Sequence, residues 1–352
     1  MGEKRVSQKE HTSGHTAGDA QVALVNMPFS FSKYPSIQLG TLSALLKSQG
    51  IAVDCHHLNV RFAHKIGVHL YELICEKRAL FGEWLFSYLL FRDNPKRAEY
   101  PRVFKPVFEQ IAQQSGQPIG HFEEMATRIA PQFLTWALTS IEWGRYKLVG
   151  FTSTFDQNVA SLTMAKLIKD LYPDVTIVFG GANFDGEMGL EYFRAFPFID
   201  HVVVGEGEVA FPALARQILE GKSNESIPGV AFRQDGQVRL TPNPALFTEF
   251  ARTGPPDYDD YYHLLAELGD TAQGLDRILL YEGSRGCWWG EKHHCTFCGL
   301  NAQSMGGMLI RIRLRPNERV VVVDRISNSR RRRRLDADAP GAIDNLHRSG
   351  DL

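Results

Sequence analysis

The chain has 352 residues, 39 basic and 40 acidic side chains, and 43% hydrophobic residues. That length accommodates two domains with a substantial core, and the balanced charge excludes a general electrostatic attraction to nucleic acid. Five cysteines, three of them between positions 287 and 298, do not make a disulfide framework and point to a reduced cytoplasmic chain with a metal or redox site.

Residues 1–20 are polar, carry no signal-peptide pattern and read as a disordered tail. From residue 22 short apolar runs alternate with longer amphipathic ones. "VALVN" (22–26) reads as a buried strand, followed by the loop "MPFSFSKYPS" and the helical pattern "IQLGTLSALLKSQG" (37–50), which stops at Gly50. "IAVDCHH" is a second strand. "KLVGFTST" (147–154) is a third, with the helix "NVASLTMAKLIKDLYP" after it. "VTIVFGG" (175–181) and "HVVVGEGE" (201–208) are the fourth and fifth, and the helix "AFPALARQILEG" follows. Nearly continuous apolar strands alternating with helices predict an α/β fold, a doubly wound, flavodoxin-like parallel sheet over residues 21–222.

Residues 60–146 interrupt this alternation with aromatic-rich helical stretches, read as a helical insertion with its own packed face, with a role in capping a ligand or gripping a peptide left open. Its run Trp84–Phe91 is the longest apolar stretch, eight residues against the roughly 20 that cross a bilayer, so no membrane partner is expected. Residues 223–275 read as a hairpin turning at Asp235–Gly236, then a Pro/Asp-rich linker whose tyrosines could pack it down. "DRILLYEGSRGC" (276–287) begins a new strand that delivers a cysteine loop.

Ligands of such sheets lie across the C-terminal strand edge. The candidates there are Ser153, Thr154, Gly180, Gly181, Gly205, Glu206 and Gly207, within "STFDQN", "GGANFD" and "GEGE". Glycines let a bulky ligand approach the backbone and hydroxyls donate to it, although glycine pairs also serve plain turns. No Gly-x-Gly-x-x-Gly follows the first strand and no Gly-x4-Gly-Lys-Ser/Thr occurs, which disfavours dinucleotides and nucleotide hydrolysis.

In the loop "GCWWGEKHHCTFCGLN" (286–301) the spacing is Cys287-x7-Cys295-x2-Cys298. Three thiolates suit an iron–sulfur cluster with one open iron, or zinc with His293 or His294 as fourth ligand. With the strand before it, this loop resembles the cluster loop of radical S-adenosylmethionine (SAM) enzymes, lengthened by four residues between the first two cysteines. The longer gap, together with "MPFSFSKYPSIQLGTLSALL", "GFTSTFDQN", "FGGANFDGEMG" and "VVVGEGEVAFPAL", is similar to a subgroup that matures ribosomally made, bacteriocin-type peptides and carries an N-terminal cobalamin-binding domain.

The resemblance implies that Cys287, Cys295 and Cys298 hold a [4Fe–4S] cluster, that SAM binds its open iron beside Phe297, and that the sheet edge holds cobalamin. The implied activity is C-methylation of a precursor peptide, with a reductant protein supplying electrons. Two departures stand out. The Asp-x-His-x-x-Gly motif that ligates cobalt elsewhere is absent; "DCHHLN" (54–59) lacks the glycine and reads as incidental. A radical SAM barrel needs roughly 200 residues, whereas 54 follow Cys298. Residues 276–327 are therefore read as the start of that (β/α) barrel, and 328–352, with five consecutive arginines, as a disordered basic tail of a truncated chain without nucleic-acid function. A non-catalytic cobalamin- or cluster-binding remnant and a zinc-stabilised α/β binding module remain as alternatives.

Overall fold

The computed structural model describes residues 20–77, 79–222, 227–242, 247, 253–269 and 278–282, with four two-residue strands beyond them. Five parallel strands, β1 (Val22–Asn26), β2 (Val53–His57), β3 (Leu148–Thr152), β4 (Thr176–Gly180) and β5 (His201–Val203), lie in the order β2-β1-β3-β4-β5. This is the doubly wound order expected. Along β1 the two-residue period divides the side chains: Val22 and Leu24 enter one core cluster, Ala23 and Val25 the other. Each strand is thus apolar throughout because both faces are covered.

One face is covered by α1 (Ile37–Ser48) and by α11 (Gly207–Leu219), through Leu39, Leu46, Phe211 and Leu214. The other carries α9 (Asn158–Leu171), α10 (Gly186–Ala195) and the insertion. The insertion comprises α2 (Leu58–Ile66), α3 (Val68–Glu76), α4 (Phe81–Leu90), α5 (Tyr100–Val103), α6 (Lys105–Ser115), α7 (Gly120–Glu124) and α8 (Ala130–Ser140). Its aromatic side chains do not form a separate core. Phe62, Phe86 and Phe133 join the cluster that contains Val25, Phe151 and Phe179 of the sheet, and Phe29 meets Phe62 edge-on and stacks on Tyr71. The apolar area gained on that sheet face favours a shared core over an independent one.

The hairpin, β6 (Val230–Gln234) and β7 (Gln237–Leu240), joins the same sheet: β6 pairs antiparallel with β5, giving seven strands. The linker is packed down as its tyrosines suggest. Tyr258 and Tyr261 are buried, Asp257 accepts from Lys47 Nζ (2.5 Å) and Ser43 Oγ (2.9 Å), and α12 (Asp259–Glu267) lies along β2. Beyond it, Ser284–Arg285 pairs with Arg313–Leu314, and Val321–Val322 with Arg333–Arg334. The cysteine loop, including Cys287, Cys295, Phe297 and Cys298, lies outside the described residues, as do the rest of the barrel start and basic tail. No described helix is long and apolar enough to cross a membrane.

Candidate functional site

A cavity of about 870 Å³ sits at the C-terminal ends of β1 and β3. β1 pairs with β2 on one side and β3 on the other, so the connections leave the sheet in opposite directions and open a crevice between them. Asn26 closes its floor, the loop after β1 and residues 154–158 after β3 form its walls, and Glu83 of α4, Asn183 and Leu280 complete it.

The wall after β1 is held by three side chains from two elements. Glu72 Oε1 of α3 accepts from the backbone N and Oγ of Ser32, both at 2.7 Å. Tyr71 donates to Ser30 O at 2.8 Å, and Tyr261 of α12 donates to Ser32 O at 2.8 Å. The insertion and the linker helix therefore set the shape of the cavity.

Gln157 braces the floor. Its Oε1 accepts from Thr154 N (3.0 Å) and Thr154 Oγ1 (2.9 Å), while its Nε2 donates to Asn26 Oδ1 (2.8 Å) and Met27 O. Ser30 Oγ also donates to Asn26 Oδ1, at 3.2 Å. On the far wall Asn183 Nδ2 donates to Phe155 O (2.9 Å) and Ser153 Oγ (3.1 Å). Glu83 accepts from the backbone N–H groups of Asn158 (3.0 Å) and Val159 (2.6 Å), occupying the N-terminus of α9 with a carboxylate. Burial raises its pKa to about 7 despite those two bonds, and burial likewise raises Asp156. Leu80 and Phe155, exposed and in left-handed backbone conformations, present apolar surface at the rim.

Of the residues singled out from the sequence, Thr154 lines the cavity. Ser153 lies fully buried behind it, donating to Asn158 Oδ1 at 2.6 Å. Gly180, Gly181, Gly205, Glu206 and Gly207 do not line it; Gly181 is required because a Cβ there would stand 2.7 Å from Ser153 O, and Glu206 accepts from Phe247 N at 2.6 Å. Gln157 and Asn183 lie within the quoted segments "STFDQN" and "GGANFD" without being singled out, and Asn26 and Glu83 were missed. A polar residue closing an apolar strand and a lone acid in an aromatic helix were the signals available for the last two.

The "DCHHLN" histidines are outside the cavity. His56 Nε2 lies 2.9 Å from Tyr146 OH, and His57 packs edge-on against Tyr261. Burial lowers their pKa values to about 4 and about 3, which keeps both neutral. Cys55 in β2 and Cys75 in α3 are unpaired thiols raised by burial.

No family model matches the chain. It is 31% identical over 158 residues to an uncharacterized methyltransferase of Pyrococcus horikoshii, covering 44% of this chain and 32% of that protein. Over 149 residues it is 30% identical to the cobalamin-dependent radical SAM methyltransferase TokK of Streptomyces tokunonensis, covering 41% and 20%. The solved structure of the cobalamin-dependent SAM radical enzyme OxsB, with aqua-cobalamin and SAM bound, superposes with a TM-score of 0.44 and 16% identity, covering 82% of this chain and 30% of that one. The chain thus spans about a third or less of the length of these relatives. Within that shared stretch of about 150 residues, the chain is similar to methyltransferases, among them a cobalamin-dependent radical SAM enzyme.

Proposed function

We propose that the cavity binds a corrinoid and that the chain carries the cofactor-holding part of a radical SAM C-methyltransferase acting on a ribosomally made precursor peptide. One observation carries the corrinoid reading: the described cavity lining contains no Lys, Arg or His, and its polar groups are amides, hydroxyls, carboxylates and the Cys75 thiol. A phosphate-bearing ligand would seek cations or a free helix N-terminus, and the N-terminus of α9 is already taken by Glu83. A corrin instead presents a broad apolar ring fringed with neutral carboxamide arms. Asn26, Thr154 and Asn183 suit the arms, and Phe155 and Leu80 suit the ring.

When bound, cobalamin would supply a transferable methyl group, the difficult chemistry being the cofactor's. The residues of this chain orient it and shield it from water. Neutral His56 and His57 stay behind the wall, so no described histidine reaches the cavity as a cobalt ligand. Leu280 lines the cavity, and Cys287 follows seven residues later, so covalent reach alone limits their separation to roughly 25 Å. The peptide substrate and reductant partner rest on the family resemblance.

The test is retention of hydroxocobalamin by the whole chain after gel filtration, read from the corrin absorbance. Retention unaffected by excess NAD or ADP is expected. A folded chain that elutes colourless, or loses its corrinoid to a dinucleotide, would overturn the reading.

A further inference from the structure

Hydrogen-bond logic at the cavity floor fixes which amide atoms are left for a ligand. A backbone N–H only donates, so the Gln157 atom facing Thr154 N must be Oε1. Its other amide atom is then Nε2, and Nε2 faces Met27 O, which only accepts. The Asn26 atom that meets Gln157 Nε2 must therefore be Oδ1, and Ser30 Oγ donates to the same oxygen. Asn26 is 3% exposed and lines the cavity, yet its Nδ2 has no hydrogen-bond partner among the described residues. The same reasoning applies across the cavity. Phe155 O only accepts, so Asn183 donates through Nδ2, and its Oδ1 is left without a partner among the described residues.

We infer that Asn26 Nδ2 and Asn183 Oδ1 are a donor and an acceptor held for the carboxamide arms of the ligand, making these two asparagines specificity-determining residues. The inference rests on the corrinoid reading. A carboxamide is the group that both accepts from the one and donates to the other, whereas a carboxylate only accepts and would leave Asn183 Oδ1 facing like charge density.

The test compares ligands on the unaltered full chain and one variant. Asn26→Asp keeps an oxygen for Gln157 and Ser30 and puts a carboxylate oxygen, an acceptor, in place of the free donor. It is expected to bind hydroxocobalamin at least about tenfold more weakly, roughly 1.4 kcal/mol, with its circular dichroism unchanged. On the unaltered chain, the set of cobalamin monocarboxylic acids, each with one arm hydrolysed, is expected to contain at least one member bound about tenfold more weakly than cobalamin. If the unaltered chain binds cobalamin while every monocarboxylate binds equally well, the inference is overturned and the corrinoid reading stands; full affinity in a folded Asn26→Asp protein has the same consequence. If the unaltered chain binds no cobalamin, both fall together.

Discussion

Replacing Glu83 with Gln should change how stability depends on pH. In the folded chain the Glu83 carboxyl lies against the cavity and the N-terminus of α9, and burial raises its pKa from 4.5 to about 7. A raised folded pKa means the native state holds its proton where the unfolded chain has released it. The associated stability is fully present below pH 4.5 and is lost as pH rises towards 7. The shift corresponds to about 3 kcal/mol, an upper value because the cavity side of the group is open to water. Glu83→Gln has no charge to desolvate but loses one of the two backbone bonds, at a cost of about 1–3 kcal/mol. At pH 5 the variant should therefore be the less stable protein, and by pH 8 the gap should close by up to about 3 kcal/mol. Urea denaturation of both proteins at the two pH values measures this directly, since other titrating groups cancel between them. Parallel pH dependence in parent and variant would refute a burial-raised pKa at Glu83.

Gly181→Ala should cost at least about 2 kcal/mol in denaturant titrations, because it combines a positive φ with a backbone clash. Gly180→Ala has room beside Val203 and should cost less than about 1 kcal/mol. His57 is held neutral with a pKa of about 3, so its contribution is present above the ordinary histidine range and is lost as pH falls below it. His57→Phe should then remove about 2 kcal/mol of the stability change between roughly pH 7 and pH 5, and an unaltered acid slope would contradict its burial in the neutral form. After anaerobic reconstitution, Cys287→Ala, Cys295→Ala or Cys298→Ala should each abolish thiolate-to-iron absorbance near ~400 nm, while Cys55→Ala and Cys75→Ala should retain it. Equal iron content in Cys298→Ala and the parent would rule out the cluster assignment.

The alternation of apolar strands and amphipathic helices determined by itself that this chain builds a parallel doubly wound sheet. A two-residue period with both faces apolar has no other way to exclude water, and β1 to β5 fall within the runs that announced them. It also placed a ligand site at the C-terminal strand edge, since strand order forces the crevice there, and it marked three cysteines by their spacing.

Only the tertiary structure decided which side chains form the crevice. Glu83 arrives from the insertion, Asn183 from the turn after β4 and Leu280 from the segment leading to the cysteine loop, contacts of long sequence separation that leave no local period. At Gly181 the fold also shows a backbone requirement, since Ser153 O leaves no room for a Cβ. The orientation of Asn26 depends on a chain of bonds through Gln157, 131 residues away. Sequence shows that both residues are polar, but donor and acceptor roles become fixed only when folding brings a backbone N–H and a carbonyl to either end of one amide.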